Sequence, residues 1–158
     1  MADYELVEGL GIEIEKDDVN FQGKPHIKQG FRKIQTEHIF PGAFADGLSV
    51  DDDLCKKVLK YFFKWKVTAT AKLLSADLAV DVADSGATQP SVNIILGSNA
   101  SGTFSSDVSL SETEQAATIN TSYNTLASGD RIQIVLKGTG TNVDAEDLHV
   151  RLVWEVTG

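Results

Sequence analysis

Across residues 59–73 every second position is apolar: Leu59, Tyr61, Phe63, Trp65, Val67, Ala69, Ala71 and Leu73. The intervening positions are Lys60, Phe62, Lys64, Lys66, Thr68, Thr70 and Lys72. Strand side chains point alternately to opposite faces of a sheet, so this period predicts a strand with one buried and one wet face. Similar segments follow. Leu78, Val80 and Val82 lead to a turn at Asp84-Ser85-Gly86, and Val92, Ile94 and Leu96 are closed by Gly97-Ser98-Asn99. Phe104, Val108 and Leu110 suit an edge strand, and Ala117, Ile119 and Thr121 a weaker one. Ile132, Ile134 and Leu136, then Leu148, Val150, Leu152, Trp154 and Val156, are the clearest of the later strands. Short strands divided by turn signals, with no helical stretch between them, predict an all-β antiparallel sandwich and argue against a βαβ fold. Only Asp51-Asp52-Asp53 before Leu54 hints at a short helix, ending where the alternation begins.

The first 46 residues have a different texture. Apolar residues are irregular there, and seven acidic ones (Asp3, Glu5, Glu8, Glu13, Glu15, Asp17, Asp18) crowd the start. Ile12 and Ile14 flank Glu13 in one short candidate strand; Ile34, Thr36, His38 and Phe40 share a face of another, before the break at Pro41-Gly42. Two readings stay open for residues 1–46: an arm that packs on a neighbouring subunit, or outer strands of the same domain. Residues 47–158 form the sandwich body. Phe21 and Phe40 are candidate subunit contacts within the first region.

Composition narrows the function classes. A chain of 158 residues with 42% hydrophobic content fills one core without a metal or disulfide. Cys55 is the one cysteine, so neither an internal disulfide nor a thiolate cluster is available, and a reducing compartment is expected. A formal net charge of −9 argues against nucleic acid, whose phosphates need a basic surface. No apolar run approaches the length of a membrane span, and residues 1–5 lack the features of a secretory signal.

Candidate chemistry is sparse. His26, His38 and His149 are the histidines, and none has metal-ligand spacing. His149 alternates outward on its strand, whereas His38 falls on an apolar face. No nucleophile elbow or phosphate loop occurs; Gly138-Thr139-Gly140 lies between strands. Asp51-Asp52-Asp53, and Asp144 with Glu146 and Asp147, carry oxygen ligands but lack the spacing of an EF-hand loop. No catalytic residues, cofactor or metal are assigned, and a non-enzymatic role is expected.

The lysines are more informative. No acidic residue lies between Leu54 and Ser75, and on one continuous strand Lys60, Lys64, Lys66 and Lys72 share a face. That stripe is either an ordinary wet face or a subunit contact meeting a neighbour's acidic N-terminal segment.

Leu126-Ala127-Ser128-Gly129-Asp130 leads into the strand from Arg131 to Leu136; Gly138-Thr139-Gly140-Thr141 and then Leu148-His149-Val150-Arg151-Leu152 follow. This arrangement resembles the closing strands of jelly-roll domains in tailed-bacteriophage virion proteins, among them capsid decoration (cement) proteins and fibre heads. Lys64-Trp65-Lys66-Val67-Thr68-Ala69-Thr70 is similar to their earlier strands. The resemblance implies a jelly-roll body and a structural component of a virion made in the host cytoplasm, usually a homotrimer bound to the major capsid protein. Alternatives are a fibre or receptor-binding module, with loops 97–103 and 138–143 on a host glycan, or a calcium-assisted carbohydrate-binding module.

Overall fold

The computed structural model describes residues 32–43, 45–60, 63–65, 69–99 and 101–157. They form two antiparallel sheets packed face to face. The first has the order β1 (Arg32–Ala43), β9 (Glu146–Thr157), β3 (Thr70–Val82), β6 (Gln115–Ala116), and β7 (Thr125–Leu126) also pairs with β3. The second has the order β2 (Phe63–Lys64), β8 (Arg131–Thr139), β4 (Pro90–Leu96), β5 (Val108–Ser109).

The pairings are nested. β1 lies against β9, β2 against β8, β3 against β6 and β7, and β4 against β5. This is one long hairpin, closed at β4–β5 and rolled so that β9 meets β3 and β8 meets β4. Such rolling defines the jelly roll. The expected architecture is therefore present, and β9 and β8 are interior strands of the two sheets.

Side chains of alternate residues fill the space between the sheets. Leu148, Val150, Leu152, Trp154 and Val156 of β9 are buried against Ile132, Ile134 and Leu136 of β8 and Val92, Ile94 and Leu96 of β4. Trp154 and Trp65 meet at a centroid distance of 6.0 Å. Both indoles donate, Trp154 Nε1 to Thr36 Oγ1 at 3.0 Å and Trp65 Nε1 to the Ala69 carbonyl at 2.9 Å. Each ring thus adds apolar area without stranding its N–H.

The structure corrects the reading of residues 59–73 as one strand. Lys60 has a φ of 59°, outside extended backbone, and residues 63–65 pair with β8 and the turn before it. Thr70 then opens β3 in the other sheet. Trp65, Ala71 and Leu73 do face inward as the alternation predicts. Both sheets bury the same parity, so the pattern persists while the chain crosses from one sheet to the other.

β3 also absorbs a change of parity. Ala71 and Leu73 are buried at odd positions, but Ala76, Leu78 and Val80 at even ones. The pairs Leu73–Trp154 and Ser75–Val153 are consecutive on β9, so Leu74 is the extra residue of a β-bulge. Asn124, buried, closes this bulge: its carbonyl accepts from Leu73 N–H at 2.8 Å and its Nδ2 donates to the Leu73 carbonyl at 2.9 Å. The interruption explains why β3's outer partner is two short strands, β6 and β7, rather than the strand expected over residues 117–121.

β1 pairs with β9 along most of its length and buries His38 and Phe40. This part of the first 46 residues is an outer strand of the sandwich, and the body starts no later than Arg32. The candidate strand at Ile12 and Ile14 lies outside the described residues. The expected helix is α1 (Leu54–Lys57), with the Asp53 side chain accepting from Cys55 N–H as its N-cap. Residues 51–53 line the edge of β8, where Asp51 N–H donates to the Leu136 carbonyl and Leu136 N–H to that of Asp52.

Candidate functional site

The outward residues of β1, β9 and β3 come into register as rows across the first sheet. Lys33, Glu155 and Lys72 form one row; Gln35, Val153 and Ser75 the next; Glu37, Arg151 and Asp77 the third. The charges read plus, minus, plus in the first row and minus, plus, minus in the third. The neutral row between them carries Val153 and, at the bulge, the exposed Leu74.

Ion pairs hold the third row. Arg151 Nη2 lies 3.0 Å from both Asp77 Oδ2 and Glu114 Oε1, and Nε 3.3 Å from Asp77 Oδ2. The hydrogen bond to Asp77, then the charge of Glu114, raise the guanidinium pKa further above its ordinary value. One row on, His149 sits between two carboxylates, with Nδ1 3.9 Å from Glu37 Oε1 and Nε2 3.6 Å from Asp81 Oδ1. His149 is outward-facing as expected, and these neighbours make it part of a polar surface.

His38, on the inward face of the same strand pair, is buried, and burial lowers its pKa. It belongs to the core, as its apolar face suggested. His26 lies outside the described residues.

The lysine stripe is not one strand face. Lys64 lies on β2 opposite Arg131, Lys72 on β3 opposite Glu155 in the other sheet, and Lys60 in the exposed turn before β2. Lys66 and Phe21 lie outside the described residues. Phe40 needs correcting as a contact residue: it is fully buried in this chain's own core, because its parity on β1 faces the second sheet.

The loops gather at two opposite ends. At one, Asp84 is buried under the connection from β8 to β9 and accepts from Gly86 N–H at 2.7 Å, Asn142 N–H at 3.2 Å and Val143 N–H at 2.7 Å. Burial pushes its carboxyl upward, but these N–H donors prevail and hold it below the ordinary value. Asp144 accepts from Ser85 Oγ at 2.6 Å and Ser85 N–H at 2.8 Å. At the other end Asp130 accepts from Ala127 N–H at 2.8 Å, beside Gly97. The connections after β4 and after β8 therefore lie at opposite ends of the β4–β8 pair.

The acidic clusters are engaged in holding loops. Asp51 pairs with Lys137 at 2.6 Å, Asp52 with Lys57 at 3.3 Å, Asp53 with Arg131 at 3.0 Å, and Asp147 accepts from Gly42 N–H at 2.7 Å. Among the described residues, no three His, Cys, Asp or Glu side chains come together in a metal-binding arrangement. No described helix is long and apolar enough to cross a membrane. Cys55 is buried, and burial pushes its thiol up to about 11.

No motif or spacing in the sequence marks Lys33, Glu37, Asp77, Arg151 and Glu155 as a group. Their only signal is that each falls opposite a core position; the rows appear only with the strand register. No protein-family model matches the chain, and no curated protein matches it. A chain of the solved capsid asymmetric unit of cyanophage Pam1 is similar to it with a TM-score of 0.49 and 14% identity, over 89% of this chain and 96% of that one.

Proposed function

We propose that this protein is a non-enzymatic structural component of a tailed-phage virion, a capsid decoration or cement protein that stabilises the shell through added subunit contacts. The supporting observation is the nested strand pairing of the jelly roll, in which the segment that resembles virion proteins supplies β8 and β9. Between its sheets lie close-packed aliphatic and aromatic side chains, which suits a mechanical role. Its N-terminal 31 residues and the exposed Lys60 and Lys64 are the proposed contacts with the major capsid protein, and a homotrimer is the assembly the resemblance implies.

The test is co-sedimentation of the full-length protein with empty heads of its own phage. Saturable, stoichiometric binding that raises the temperature at which heads rupture is the expected result. Absence of binding, with binding instead to host cells or glycans, would replace this reading with the fibre-module alternative. A chain lacking residues 1–31 should lose head binding, with circular dichroism checking that its sheets persist.

A further inference from the structure

We propose that the outer face of the first sheet pairs with the same face of a second copy of this chain, about a two-fold axis. The axis lies in the plane of contact, across the strands, along the row Gln35, Val153, Ser75. Rotation about it reverses strand direction while keeping each strand over its counterpart. Lys33 then lies over Glu37 of the second copy, Glu155 over Arg151, and Lys72 over Asp77. All three contacts are opposite in sign, and the symmetry repeats each one, as an isologous interface requires.

The geometry permits these contacts. Each charged row lies two residues from the axis, about 6.6 Å at the strand rise. Sheets stacked face to face sit about 10 Å apart and cross at about 30°. At that radius such a crossing moves the partners by roughly 3–4 Å, within the reach of Lys, Arg and Glu side chains. The axial row brings Val153 and the exposed Leu74 to the centre, with the charges around them, matching the apolar centre and polar rim of protein interfaces. Lys33 and Glu37 are exposed, and Glu37 also lies 3.9 Å from His149 Nδ1 of its own chain. Exposed ion pairs are individually weak and screened by salt, so association is weak in dilute solution and strongest at low ionic strength.

This pairing is independent of head binding. The test is sedimentation velocity over a concentration series at low and high salt, with the wild-type chain, K33E and E37K. Each single substitution juxtaposes like charges at two symmetry-related places and should weaken association about tenfold or more. An equimolar mixture of K33E and E37K restores both opposite-sign contacts and should associate like the wild type, as should the double variant K33E/E37K. Thermal unfolding near the wild-type temperature shows that the variants fold. A wild-type chain without salt-sensitive self-association, single variants that associate unchanged, or a mixture that fails to recover would each overturn the proposal.

Discussion

Deleting Leu74 should be far less harmful than deleting Ala79 from the same strand. Leu74 is the surplus residue of the β3 bulge, and Leu73 and Ser75 oppose consecutive residues of β9. Without it, alternation becomes continuous and Ala71, Leu73, Ala76, Leu78 and Val80 all keep their inward parity. Leu74 is 37% exposed, so its loss removes only part of a leucine's burial, about 1–2 kcal/mol with the local straightening of the strand. Deleting Ala79 leaves two outcomes. Either Val80 turns outward and Asp81 inward, or the bulge collapses, expelling Ala76 and Leu78 and turning Ser75 and Asp77 inward. Each loses a large buried aliphatic side chain, roughly 1.5–3 kcal/mol, and turns a carboxylate toward the core, which costs several kcal/mol more. Against a typical total stability of about 5–15 kcal/mol, that is enough to unfold a marginal domain. Urea denaturation followed by tryptophan fluorescence reads the difference, since Trp65 and Trp154 are both buried. Equal destabilisation by the two deletions, or greater loss from removing Leu74, would refute the parity argument.

Asn124→Ala should cost about 1–3 kcal/mol in the same assay, because it leaves the Leu73 carbonyl in the bulge without its donor. Asp84 predicts an acid limb of the stability curve. Its folded pKa lies below the ordinary 3.8, so its contribution is complete above that value and is lost as pH falls through the lower folded value. Asp84→Asn should therefore lower stability at pH 7 and narrow its gap from wild type below about pH 4, as thermal melts across pH would show. Cys55 should resist a thiol reagent at pH 8 in the folded protein and react fully in denaturant, since its buried thiol is pushed up to about 11. Rapid labelling of the native chain would contradict that burial.

Much of the core was legible because side-chain parity is local. Leu148, Val150, Leu152, Trp154 and Val156 are buried as their spacing predicts, and so are Ile132, Ile134 and Leu136. His149 faces outward and His38 inward for the same reason. Parity carries no information about which sheet a strand joins, and for that reason residues 59–73 looked continuous. Nor does it show bulges that let odd and even positions share one buried face.

The sequence alone determined the all-β class, many of the residues that line the core, and, through the resemblance of its closing segment, the jelly-roll expectation. The tertiary structure decided the nesting of strand pairs, the exclusion of Phe40 from the surface, and the opposite placement of the two loops considered for a glycan. It alone aligned Lys33, Glu155 and Lys72 in one row and Glu37, Arg151 and Asp77 in another. These residues are distant in the chain, and only the hydrogen-bond register between β1, β9 and β3 sets which of them stand side by side. A one-residue slip in that register would scatter the rows while leaving the sequence pattern unchanged.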